Sequence, residues 1–399
     1  MAVLPFGNVS AQTSPSTGNL DWIGESIAET LRVAMGSRGI MALDRDDIQS
    51  AYRGLNLRER ALLTEASVMK IGEAVDAEQV IYGRFEFQPS AGATTADAAA
   101  IGTVPGESRG SLKISARVLD RRKMRQSSEF QESGALDDLP SLEAHLAWRA
   151  LTIVAPKLAP PESEFRSLRP AIRLDAEENY IRGLMAHSPD QREKYFTQAA
   201  RLDARFAQPC YRLGEMHYQR KEYRQAIEWL GKVGPDENDY HRANFLLGLA
   251  SFQSGDYAGA QKAFQTVAAA VPISEVYNNL AAAESRRNLP QALDDFRKAL
   301  DGDASDPMYH FNTGYALWKK GDFDAAAERF RAVLDRDPDD QIATLLLGRC
   351  LKKQGLRPGA NSGDARFQNL ERLKTTFEER AYLQLKSLLD RKTPAAGAP

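Results

Sequence analysis

The residues of this 399-residue chain best suited to chemistry are five histidines, two cysteines and a short acidic cluster. His145, His187, His217, His241 and His310 stand singly, with no His-Glu-x-x-His pair to grip a metal from one helix face. They read as packed or solvated helix residues. Cys210 and Cys350 are too few for a disulfide framework or a cysteine-based zinc site, and read as small buried packing residues. Asp44-Arg45-Asp46-Asp47 gathers three carboxylates as a metal site would, yet it sits just before a helical pattern, where Asp46 or Asp47 serves as a cap. Residues 7–18 lack the interior glycines and following lysine of a phosphate-binding loop. No acid–base or nucleophile–base constellation emerges. The expectation is a non-enzymatic protein with no catalytic residues, cofactor or metal.

Composition supports that direction. Lys+Arg 52 against Asp+Glu 54 gives a formal net charge of −2, so no electrostatic excess points to nucleic acid or an anionic membrane. Charged residues at 27% and hydrophobic ones at 43% exclude whole-chain disorder. No apolar run approaches the roughly 18 residues that a transmembrane helix needs.

The elements that would carry any site fall into two blocks. Residues 1–155 read as an α/β domain. It opens on the strand Ala2-Val3-Leu4-Pro5-Phe6, followed by a polar loop. Leu20, Ile23, Ile27, Leu31 and Met35 then recur at helical spacing. Ile40-Met41-Ala42-Leu43 reads as a short buried strand, residues 47–55 and 61–75 as helices, and residues 80–87 as a strand. Leu112, Ile114, Ala116 and Val118 alternate with polar residues, the pattern of a strand buried on one face. A second polar strand is expected near residues 124–131, and a helix over 142–154. Residues 89–110 are mostly Ala, Gly, Thr and Ser and bury too little to offset the entropy of ordering, so a mobile loop is expected there.

Strings within this block, residues 3–10 (VLPFGNVS), 20–31 (LDWIGESIAETL) and 77–87 (AEQVIYGRFEF), resemble the TolB amino-terminal-like fold, shared in outline with FlgO and CsgG-type bacterial envelope proteins. Residues 112–120 (LKISARVLD) match that family's strand ending in Asp, but Arg121-Arg122-Lys123 replaces its usual glycine-containing turn. The resemblance implies a protein-contacting accessory domain without catalytic residues. It also implies a periplasmic or other extracytoplasmic location with an export signal removed, a cytoplasmic location being the alternative.

Residues 156–174, rich in proline, read as a linker. Beyond them a small residue recurs at Gly183, Gly214, Gly248, Ala281, Gly314 and Gly348, in steps of 31, 34, 33, 33 and 34. An Ala precedes a large apolar residue by four positions at Ala226/Leu230, Ala260/Phe264, Ala292/Phe296 and Ala326/Phe330. This pattern resembles the tetratricopeptide repeat (TPR), a helical hairpin of about 34 residues whose stacking buries a continuous core. The fold class expected is therefore multidomain: an α/β domain followed by an all-α TPR superhelix, an α-solenoid of five to six repeats over 175–355. A helix over 364–390, within 356–399, is expected to cap the array's end ahead of a disordered tail.

In that family first-helix positions five, nine and twelve face the groove. The resemblance so nominates Tyr211, Tyr218, Phe245, Leu249, Phe252, Phe311, Tyr315 and Trp318, with Glu215, Arg349 and Lys352 nearby, as a partner-binding surface rich in hot-spot aromatics. Some of the aromatics are expected to pack between helices instead. Asn279 and Asn312 occupy a position that some members use for a peptide carboxylate, though the matching basic pair is incomplete. The leading expectation is a scaffold whose groove binds a protein segment while the α/β domain docks to an envelope assembly. The alternatives are a sensor fragment of a larger regulator and a nucleotide- or sugar-binding enzyme.

Overall fold

The computed structural model describes residues 1–10, 20–58, 61–89, 110–167, 172–356 and 364–392. The chain divides into two units, Met1–Pro209 and Cys210–Pro399.

In the first unit, strands β1 (Ala2–Val3) and β2 (Gly7–Asn8) lie in succession along one side of β3 (Gln79–Pro89), both parallel to it. The other side of β3 pairs antiparallel with β4 (Gly110–Asp120), from Gln79 opposite Asp120 to Pro89 opposite Gly110. Short β5 (Arg125–Gln126) and then β6 (Phe130–Ala135) complete this mixed sheet on the far side of β4. The even positions Leu112, Ile114, Ala116 and Val118 are buried, as their alternation requires.

Helix α1 (Trp22–Gly36) buries Ile23, Ile27, Leu31 and Met35. Its Gly24 allows close approach of the chain: a Cβ there would lie 2.0 Å from the Phe6 carbonyl oxygen. Helices α2 (Arg45–Gly54) and α3 (Glu65–Ala74) share a core with β1 and β3 through Ile48, Tyr52, Val68, Ile71 and Val80. The stretch Ile40–Leu43 departs from the expected buried strand. Its backbone bonds tie it to the end of α1 and to the first residue, through Ile40 N to Met35 O, Met1 N to Met41 O and Leu43 N to Met1 O, and Met41 is 40% exposed. An apolar run of four carries no information about which side of it is covered.

Helix α4 (Leu139–Val154) packs on α1. The segment read as a linker is partly built in: Trp148 Nε1 donates to Pro160 O at 3.0 Å, and Phe165 of the short α5 (Glu162–Ser167) is buried. A first helical hairpin, α6 (Leu174–Met185) and α7 (Pro189–Leu202), belongs to this unit, so the division falls one hairpin later than residue 175. The reason is a buried polar seam. Ser26 Oγ donates to Glu177 at 3.0 Å and Thr30 Oγ1 to Glu143 at 2.8 Å, joining α1 to α6 and α4. The remaining carboxyl oxygens, Oε1 of Glu143 and Oε2 of Glu177, have no hydrogen-bond partner among the described residues. Two buried carboxyls in one seam disfavour double ionisation, and both are raised. Burial first, then the charge of Glu177, pushes Glu143 well above the usual carboxylate range.

The second unit is a run of helical hairpins: α8 (Ala207–Gln219) with α9 (Tyr223–Leu230), α10 (Tyr240–Ser254) with α11 (Tyr257–Ala270), α12 (Ser274–Arg286) with α13 (Ala292–Gly302), and α14 (Pro307–Lys320) with α15 (Phe323–Leu334). Helix α16 (Gln341–Leu351) begins a sixth hairpin. The phased small residues permit each hairpin to close. A Cβ on Gly248 would stand 2.6 Å from Phe264, whereas one on Gly348 would meet nothing within 4 Å among the described residues, none of which forms a second helix against α16 there. Ala226, Leu230, Ala260, Phe264, Ala292, Phe296, Ala326 and Phe330 are all buried.

The expected capping helix over 364–390 is not what forms. A single 3-10 turn (Asp364–Phe367) is followed by non-helical chain over 368–378, and only then by α17 (Glu379–Lys392). The expected mobile loop falls almost wholly on residues 90–109, outside the described residues, as does the tail from 393.

Candidate functional site

Residues 369–377 form no backbone–backbone hydrogen bond among the described residues. Their main-chain groups are met instead by carboxamides from first helices. Asn279 Nδ2 donates to Lys374 O at 2.7 Å while its Oδ1 accepts from Lys374 N at 2.8 Å. Asn312 does the same for Arg372, at 2.7 Å and 2.9 Å. Asn278 donates to Arg372 O at 3.0 Å and accepts from Asn312 Nδ2 at 2.7 Å. All three asparagines are fully buried. A carboxamide can turn one N–H and its C=O side by side toward a chain, the same pair that a neighbouring strand would present to it.

Side chains fix the register. Phe377 stacks on Phe245 of α10, centroids 4.6 Å apart and planes 9° apart. At the other end Phe367 lies edge-on to Trp318 at 6.2 Å with the Arg349 guanidinium 4.7 Å from its ring, and Tyr315 donates to the Phe367 carbonyl at 2.8 Å. Between them Glu371 is fully enclosed. It accepts from Ser285 Oγ at 2.6 Å and pairs with Arg286 at 2.5 Å and Lys319 at 3.4 Å. Arg372 forks onto Asp340 at 2.6 and 3.0 Å and lies 3.5 Å from the Phe311 ring centroid. Lys374 pairs with Asp306, and Glu379 takes His241 and Arg242, each at 3.2 Å. The segment runs opposite to the order of the hairpins, from α16 and α14 back to α10. Burial and then the Glu371 charge push the Tyr315 phenol up to about 12. Asp340, despite its burial, is held below the usual carboxylate range by Arg372 and the Ala343 amide.

Of the nominated residues, Phe245, Phe311, Tyr315, Trp318 and Arg349 line this segment. Leu249 and Phe252 lie in the core, Phe252 edge-on to Tyr257 at 5.2 Å. Tyr211, Glu215 and Tyr218 gather on α8. There Tyr211 is buried, Glu215 pairs with Arg212 at 3.3 Å, and Tyr218 tilts against Tyr223. Lys352 is exposed past the end of α16. The expected open trough is thus filled along much of its length by the chain itself. Asn279 and Asn312 hold main-chain amides, not a carboxylate. Asn278, Ser285, Arg286, Asp306, Lys319 and Asp340 escaped sequence reading. Asp306 and Asp340 stand one repeat apart at helix N-caps, a periodicity that could have flagged them.

Elsewhere the chemistry is sparse. A cleft lined by Asn8, Asp21, Glu25, Arg32, Arg45 and His187 holds about 50 Å³, far below the roughly 300 Å³ of ordinary ligand pockets. Its charges are engaged: Arg32 and Arg45 each bond Glu25 at 3.0 Å. No group of three or more potential metal ligands occurs among the described residues. Cys210 and Cys350 are buried and free, and burial pushes the Cys350 thiol up to about 11. No helix among the described residues is long and apolar enough to cross a membrane.

Residues 238–307 and 311–360 match the tetratricopeptide repeat family. These two stretches carry tetratricopeptide repeats. Among solved structures, MamA 41-end from Desulfovibrio magneticus RS-1 is 24% identical over 42% of this chain and 95% of its own, with a TM-score of 0.37. YrrB, described as a TPR protein with an unusual peptide-binding site, is 18% identical over 50% of this chain and 98% of its own, with a TM-score of 0.35. The C-terminal part of a TPR repeat-containing protein from Cytophaga hutchinsonii is 17% identical over 52% and 86%, with a TM-score of 0.38. No curated protein matches the chain.

Proposed function

We propose that this protein is a non-enzymatic interaction scaffold whose TPR groove grips an extended polypeptide segment. The observation that carries the reading is the double hydrogen bond that Asn279 and Asn312 each make to the N–H and C=O of one residue, because it recognises main chain of any sequence in the extended state. In the same reading the sheet-containing unit is a TolB amino-terminal-like accessory domain. It docks to a bacterial envelope assembly outside the cytoplasm. Its support is the resemblance of residues 3–10, 20–31 and 77–87, together with a mixed sheet whose first strands run parallel to β3.

Crosslinking in native envelope extract, read by mass spectrometry, tests the groove. Partner crosslinks to Lys319 are expected with the natural chain and not with an Asn279→Ala/Asn312→Ala chain of unchanged helical circular dichroism. Identical crosslinks from both would remove the groove from the function.

A further inference from the structure

The segment over 367–379 is docked in the groove as a separate piece. Each hairpin closes without it, through pairs such as Gly248 against Phe264 and Gly314 against Phe330. Its main chain is held by side chains of the array, and three of its charge pairs lie at a partly wet rim, with Arg372 32% and His241 34% exposed. Its side chains nonetheless meet specific complements: aromatic rings at both ends, a buried anion site between Arg286 and Lys319, and carboxylates at Asp340 and Asp306.

We propose that residues 367–379 are a tethered stand-in for the groove's partner. The groove then selects an extended segment on another protein carrying aromatic, acidic, basic, basic and aromatic side chains at relative positions 0, 4, 5, 7 and 10. These are the positions of Phe367, Glu371, Arg372, Lys374 and Phe377. The inference rests on the reading of the groove as a peptide site and adds to it a register and a competitor. The central anion is the most discriminating element, because an uncharged or basic residue would leave Arg286 and Lys319 unpaired in a dry site. Fifteen residues, 352–366, separate the end of α16 from the stand-in, so it competes at a high local concentration. An outside segment therefore binds with an affinity reduced by the fraction of chains whose groove is open.

The test uses the full chain and a fluorescein-labelled peptide of residues 364–380 as probe. A Phe367→Ala/Arg372→Ala/Phe377→Ala chain, with its own segment weakened and its groove intact, is expected to bind the probe at least tenfold more tightly than the natural chain. A probe with lysine in place of Glu371, or a scrambled probe, is expected to bind at least tenfold more weakly. Adding Asn279→Ala and Asn312→Ala is expected to abolish binding. Equal binding by natural and triply substituted chains of the same helical content would overturn the stand-in. Equal binding of the scrambled probe would overturn the register while leaving a sequence-blind peptide grip. No binding of any probe by either chain would overturn both readings. Concentration-dependent dimers of the natural chain that vanish on triple substitution would assign the segment to a second copy and overturn the proposal. Should the triple variant fail to fold, hydrogen exchange of the natural chain decides: excess probe raises exchange over 369–377, and unchanged exchange sinks the idea.

Discussion

Asn279 on α12 bonds both main-chain groups of Lys374, 95 residues away, donating to its carbonyl at 2.7 Å and accepting from its amide at 2.8 Å. Each such bond contributes about 0.5–1.5 kcal/mol net, and more is lost when the abandoned group stays buried. Asn279→Ala is expected to lower unfolding stability by about 2 kcal/mol in urea titration and to speed amide exchange around Lys374. A change below about 0.5 kcal/mol would show that the main chain is held by something else.

Glu371 supplies a second handle. Its carboxylate is enclosed between Arg286, Lys319 and Ser285, so removing one partner strands charge in a dry site, a change costing about 3–5 kcal/mol. Arg286→Met should destabilise the second unit by roughly that range, and Arg286→Met/Glu371→Gln should recover part of the loss. Chemical denaturation of the two variants checks this; a double variant no better than the single one would contradict it.

Glycines at the same repeat position should respond with opposite signs. Gly248→Ala drives a methyl to 2.6 Å from the Phe264 ring, an overpacking cost of about 1–3 kcal/mol. Gly348→Ala meets open space within α16 and gains helix propensity, about 0.5–1 kcal/mol of stabilisation. Thermal melts of the two variants should therefore move in opposite directions. A melting point lowered by Gly348→Ala would mean that a second helix does pack on α16.

The Glu143–Glu177 pair sets a pH dependence. Burial and the Glu177 charge raise Glu143, so the folded chain keeps a proton that the unfolded chain releases above about pH 4.3. Stability from this group is complete below that pH and is lost as pH rises through the raised folded value. Gln at 143 can accept from Thr30 and donate to Glu177 without needing a proton. By calorimetry, Glu143→Gln should melt close to the natural chain at pH 4 and increasingly above it towards pH 8. A difference independent of pH would mean that Glu143 is ionised in the fold.

What the sequence made legible follows from range. The spacing from Gly183 to Gly314 records contacts between two helices of one hairpin, made within some twenty residues, and so it survives in the linear pattern. The course of residues 368–378 does not. Phe367, Leu370, Leu373 and Phe377 recur at three and four, a helical period, and those side chains do face the core. The main chain is nevertheless non-helical, because Asn278, Asn279 and Asn312, 60 to 95 residues distant, supply hydrogen bonds to it. Local periodicity cannot register a competitor so far along the chain. The aromatic residues of the first helices were legible as a surface, but that the same chain covers Phe245, Phe311 and Trp318 was not.

The opposite running of the docked segment has a geometric corollary. The segment touches α10, α12 and α14 in turn, so three successive hairpins share one stretch of chain, and a chain ended after α16 would uncover rings on the first and the last of them at once.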